Sequence, residues 1–169
     1  MSIDRDSLRQ IPSIPGENKC FGCGPENPYG LNMFFFTDEK ALYSWVKISE
    51  HACGWENVVH GGILSTLLDE IMNWTVIYFK KQLSMTREIT LNFNKAVLLN
   101  KGEIRVESRI EQSLNKREVM VQGQIFQNDN DLCVSAKGTF NLVSLKTIRR
   151  LNLIEEKYLG SFQKLLSEL

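Results

Sequence analysis

The twenty residues Gly61–Lys80, GGILSTLLDEIMNWTVIYFK, constrain the chain most. The run has no proline and is mostly apolar, so it predicts one long helix of about 30 Å at ~1.5 Å per residue. It is too apolar for a surface helix, and the rest of the chain should surround it. Two carboxylates, Asp69 and Glu70, stand among Leu67, Leu68, Ile71, Met72 and Trp74. Leaving such groups buried without a partner is costly. The pair therefore points to a helix that borders a cleft or a subunit interface.

The flanking segments read as strands. LNMFFFTD (31–38) and KALYSWVKIS (40–49) precede the helix, and residues 50–59 form a loop. Four more strand-like segments follow at 87–97, 102–113, 117–128 and 132–143. Alternation is clear at Ile104, Val106, Ser108 and Ile110, and again at Val119, Val121, Gly123 and Ile125. The linkers LLNKG, LNK and DND carry turn residues. Residues 1–19 are an irregular lead-in with a short helix near Asp6–Gln10; residues 20–143 form one domain; residues 144–169 form a tail whose apolar spacing fits an amphipathic helix. The order β-β-α-β-β-β-β-α predicts an α+β fold, with an antiparallel sheet of about six strands curled around the helix. An open sheet of this kind leaves an edge that a partner subunit would cover.

Charge excludes some functions. Lysine plus arginine and aspartate plus glutamate number 20 each. That balance gives no basic footprint for nucleic acid or a membrane surface. No apolar run reaches the ~18–20 residues of a membrane span, and the first nineteen residues do not resemble a secretory signal. The expectation is a soluble cytoplasmic protein whose cysteines at 20, 23, 53 and 133 are reduced. Cys20 and Cys23 form one CxxC with no second pair, so no metal site is expected.

A functional site is expected where the loop ends and the helix begins, at His60-Gly61-Gly62. A helix N-terminus offers unpaired N–H groups and a positive dipole. Glycines there let a ligand approach the backbone, as an oxyanion hole requires. Asp69 lies a little over two turns further on, too far to serve its own Gly61. It could serve the Gly61 of a second, antiparallel helix in a dimer.

HGGILSTLLDE (60–70) resembles the helix motif of hotdog-fold thioesterases, in the branch that includes the phenylacetate-pathway (PaaI-like) enzymes. CFGCGPENPYGL (20–31) resembles the lead-in of one subgroup of that branch. The resemblance covers roughly residues 20–143 and implies the hotdog fold. It implies an acyl-CoA thioesterase in which Gly61 donates its N–H to the thioester carbonyl. Asp69 of the other subunit is then nucleophile or general base. His60 orients the thioester or shapes the loop, and Thr86 helps hold the water. Gly54 stands where some members carry Asn or Gln, and Lys95-Ala96 where the family often has Arg-Pro. Gly62, Asn57, Trp55 and Trp74 are the expected substrate-binding residues, with Met33, Phe34, Phe36, Ile77 and Tyr78 as further candidates for the acyl slot. Lysines and arginines such as Lys80, Lys81, Arg87 and Lys95 are candidates for the coenzyme A phosphates. No cofactor is expected beyond coenzyme A as part of the substrate, and the expected assembly is a homodimer or homotetramer. The alternative is a non-catalytic acyl-CoA or acyl-carrier binding protein on the same fold.

Overall fold

The computed structural model describes residues 3–128 and 131–169. The helix α1 spans Gly61–Lys80, as its composition predicts. His60 caps its start, and Lys81 ends it in the left-handed region at φ 51°. Around it lie strands β1 (Arg9–Gln10), β2 (Phe36–Thr37), β3 (Leu42–Val46), β6 (Leu83–Phe93), β7 (Ile104–Ser113), β8 (Glu118–Gln127) and β9 (Asp131–Val143). They form one antiparallel sheet in the order β1-β2-β3-β7-β8-β9-β6. A small ribbon, β4 (Cys53–Trp55) and β5 (Val58–Val59), leads into α1. Two helices, α2 (Leu145–Leu151) and α3 (Glu156–Glu168), follow the sheet. The architecture is the α+β hotdog, a long antiparallel sheet around one central helix.

The core explains the wrapping. Leu67, Leu68, Ile71 and Met72 of α1 are fully buried. Val119, Val121 and Ile125 of β8 and Val134, Ala136 and Phe140 of β9 face the same core. The helix packs closely on Gly123 of β8: a Cβ there would lie 2.9 Å from a Leu68 methyl. Phe162 and Leu165 of α3 join this core, so the tail packs through its apolar stripe.

Several elements depart from the sequence reading. The lead-in has a 3-10 turn at Arg5–Ser7, and Arg9–Gln10 is an edge strand rather than part of a helix. The strand expected over 31–38 shrinks to Phe36–Thr37. Leu31 and Met33 instead donate their N–H groups to Phe21 and Gly22, which ties them to the preceding turn. Residues 50–59 contain the β4–β5 ribbon as well as a 3-10 turn at Glu50–Ala52. The strand expected over 87–97 begins four residues earlier, at Leu83, and stops at Phe93. Ala96–Leu98 is apolar without being a strand: Val97 C=O accepts from Val59 N–H, and Gln127 holds both backbone groups of Leu98. Residues 129 and 130 of the expected DND turn lie outside the described residues.

Candidate active site

The site grows from the facing of α1 and β6. Asp69 and Asn73, one turn apart on α1, both meet β6. Thr86 Oγ1 donates to Asp69 Oδ1 at 2.6 Å, and Ser84 Oγ donates to Asn73 Oδ1. These bonds explain how an apolar helix carries polar side chains mid-length: the strand beside it supplies partners. Asp69 Oδ2 has no hydrogen-bond partner among the described residues.

A β-bulge aims Thr86. Thr86 is opposite Phe140 and Glu88 opposite Thr139, so Arg87 is the extra residue. Past the bulge, Ile89, Leu91 and Phe93 pair with Gly138, Ala136 and Val134. Phe140, Ala136 and Val134 all face the core. Thr86 therefore shares the helix-facing side with Ile89, Leu91 and Phe93, although strict alternation from Phe93 would have turned it away.

The other end of the site is the start of α1. His60 Nδ1 accepts the Gly62 N–H at 2.9 Å, and the His60 N–H donates to Ala52 C=O at 2.9 Å. His60 is thus a helix cap that fixes how the ribbon enters α1. Gly62, whose N–H is taken by this cap, is not a free donor. The Gly61 N–H has no partner among the described residues. Gly61 itself borders a cleft of about 280 Å³ with Val58, Val59, Leu64, Phe93, Lys95 and Val97. Phe93 lies close enough that a Cβ on Gly61 would sit 3.5 Å from its ring. Gly54 packs on the cap, where a Cβ would lie 3.3 Å from the His60 Cα. A longer side chain at 54 would press on His60.

Within one chain, Gly61 and Asp69 do not meet. Eight residues of helix separate them by ~12 Å along the axis. Both ends of the site nevertheless border β6, through Phe93 at one end and Thr86 at the other. Among the described residues β6 is an outer edge of the sheet and pairs with β9 alone. Along it Met85 is 51% and Phe93 56% exposed.

Other candidates lie elsewhere. Trp74 is buried, stacks on Phe35 at 4.8 Å, and donates its indole N–H to Glu70 Oε1 at 3.1 Å. Its surroundings make it a packing residue, not a wall of the cleft at Gly61. Trp55 is exposed on the ribbon. Asn57 pins the next loop, accepting the N–H of Leu99 on its C=O and that of Asn100 on its side chain. It borders a separate cleft with Lys47, Ile48 and Glu56. Met33, Ile77 and Tyr78 are buried, Phe36 is half-buried, and Phe34 is exposed. Several candidate phosphate-binding cations already have partners: Lys80 with Ser113, Arg87 with Glu118, and Lys95 with Asp131.

Glu70 turns the other way, toward the turn at Cys20–Cys23. Cys20 Sγ lies 3.5 and 3.6 Å from its two carboxylate oxygens. Burial, together with the neighbouring thiol, pushes the Glu70 carboxyl up to about 7. This grouping was not legible in the sequence, because fifty residues separate Cys20 from Glu70. The CxxC was its only signal.

No protein-family model matches the chain, and no curated protein matches it in sequence. Solved structures do match. A thioesterase-superfamily protein superposes with a TM-score of 0.65 at 21% identity, over 73% of this chain and 60% of that one. A phenylacetic acid degradation-related protein from Ralstonia eutropha JMP134 gives 0.60 at 20% identity, over 66% of this chain and 86% of its own. A hypothetical thioesterase from Streptococcus pneumoniae TIGR4, solved with coenzyme A, gives 0.57 at 17% identity, over 62% of this chain and 80% of its own. At these identities the likeness is one of fold: the chain has the hotdog architecture that these thioesterase-superfamily and phenylacetic acid degradation-related structures also have.

Proposed function

We propose that the protein is an acyl-CoA thioesterase whose site is completed by a second copy of the chain. The observation that carries this is the Thr86–Asp69 bond. Thr86 fixes one carboxylate oxygen and leaves Oδ2 available as a base or nucleophile. Two β6 edges pairing antiparallel about Ile89–Thr90 would set Thr86 of one copy opposite Phe93 of the other. That register brings one copy's Asp69 toward the free Gly61 N–H of its partner. It would also cover an exposed eleven-residue edge.

In the general-base form, Asp69 Oδ2 takes a proton from water as the water oxygen attacks the thioester carbon. The Gly61 N–H, with the helix dipole behind it, holds the developing oxyanion. Collapse of the tetrahedral intermediate breaks the C–S bond, and the leaving thiolate receives the proton. The cleft at Gly61, walled by valines, Leu64 and Phe93, suits the acyl group. The coenzyme A in the Streptococcus neighbour supports a coenzyme A thioester as the substrate class.

The test is thiol release from a panel of aliphatic and aromatic acyl-CoAs, with mass measured by light scattering. Turnover by a dimer or tetramer is expected. Saturable acyl-CoA binding without turnover would replace this reading with that of a binding protein.

A further inference from the structure

We infer that Cys20, Cys23 and Glu70 form a binding site for a zinc-class divalent cation. The sulfurs of Cys20 and Cys23 and a Glu70 oxygen lie within 4.8 Å of one another. Two sulfurs and one carboxylate suit a borderline-soft ion such as Zn²⁺. The spacing fits: Zn–S of about 2.3 Å and Zn–O of about 2.1 Å at a tetrahedral angle put sulfur and oxygen about 3.6 Å apart. Cys20 Sγ stands 3.5 and 3.6 Å from the two Glu70 oxygens.

The surroundings are built for these ligands. The chain reverses at Cys20–Gly24, where the Gly24 N–H donates to Cys20 C=O at 2.9 Å. Asn18, itself buried, holds both ends of the turn: Oδ1 accepts the Cys20 N–H at 3.0 Å, and Nδ2 approaches Cys23 Sγ at 3.9 Å. The Trp74 indole N–H holds Glu70 Oε1, as an outer partner orients a ligating carboxylate. Among the described residues no lysine or arginine pairs with this carboxylate.

Gly22 makes the approach possible. A Cβ there would lie 2.5 Å from the Glu70 carboxylate. The residue between the first cysteine and this glycine is Phe21, which with Leu31 and Ile63 lines a cavity of about 310 Å³. A bound cation would lock that wall onto α1. The site does not depend on the thioesterase reading.

The test is Co²⁺ and Zn²⁺ titration of the full chain, purified reduced and without chelator. One equivalent of Co²⁺ should bind with near-ultraviolet sulfur-to-cobalt charge-transfer absorption, displaced by Zn²⁺. The band should vanish in Cys20→Ser and Cys23→Ser. Cobalt affinity should fall at least ~10-fold in Glu70→Gln, and Gly22→Ala should weaken binding while keeping every ligand. Zinc should also protect two thiols of the unmodified protein from a thiol reagent, a readout that needs no variant to fold. Absence of the band, a band unchanged in both cysteine variants, or four thiols equally reactive with and without zinc would overturn the site.

Discussion

Asparagine at position 69 is the sharpest perturbation of the proposed chemistry. Asp69→Asn keeps the side-chain volume and an oxygen at Oδ1. The Thr86 hydroxyl can therefore still donate, and the local packing of α1 on β6 is retained. What is lost is the free oxygen that would take the proton or attack the thioester. Losing a general base costs ~10²–10⁴ in rate, or about 2.7–5.4 kcal/mol of barrier. The assay is thiol release at saturating acyl-CoA, with circular dichroism and light scattering as controls for fold and assembly. At least a ~100-fold loss in kcat is expected, with little change in KM. Glu70→Gln serves as the comparison. Its side chain faces the Cys20 turn rather than β6, and it should lower kcat far less. Activity that survives Asp69→Asn but collapses in Glu70→Gln would refute the assignment of Asp69.

Further outcomes are expected. Thr86→Val removes the hydroxyl that orients Asp69. It should lower kcat at least ~10-fold, the low end of what one hydrogen bond to a charged group is worth, with the dimer intact. Gly61→Pro deletes the N–H at the first helical position, where proline is well tolerated, and should abolish turnover. Unfolding and refolding a mixture of inactive Gly61→Pro and Asp69→Asn chains should restore about a quarter of wild-type activity, because a mixed two-fold dimer keeps one intact shared site; no recovery would rule out sharing. Burial, with the Asp38 carboxylate beside it, pushes the Tyr43 phenol up to about 12 from its ordinary 10. The folded chain then keeps a proton that the unfolded chain loses above pH 10, so stability should decline as pH rises from 10 toward 12. Tyr43→Phe should flatten that decline in denaturant titrations.

The sequence made some of this readable and hid the rest for physical reasons. The bounds of α1 follow from composition, a proline-free apolar run between a capping histidine and a lysine that turns left-handed. Strands β7, β8 and β9 follow from alternation, since one face of each meets the core. Residues 31–35 looked like a strand because they are mostly apolar, yet Leu31 and Met33 give their N–H groups to Phe21 and Gly22, and Phe35 stacks on Trp74 of α1. The bounds of β6 were misread because the apolar 96–98 segment mimics a strand, whereas at the start of β6 the polar Ser84 is buried and the apolar Met85 is exposed. In the site, the family resemblance singled out Gly61, Asp69 and Thr86, and the fold brings Asp69 and Thr86 together. The partner of Glu70 could not be read, because it depends on how a distant loop folds back on the helix.

The bulge at Arg87 works as a one-step phase shifter. A strand ordinarily indexes all its side chains together, so the face that fills the core also dictates what faces a ligand. One inserted residue breaks that lock. Ile89 and Leu91 keep the core's phase, while Thr86 is re-indexed to meet Asp69. Moving the extra position from 87 to 86 would set Arg87 opposite Phe140 and so change which side chain stands before Asp69, while leaving the packing between Ile89 and Phe93 undisturbed. The strand thus carries its own adjustable frame, in which the residue opposite the carboxylate can be exchanged without redesigning the sheet.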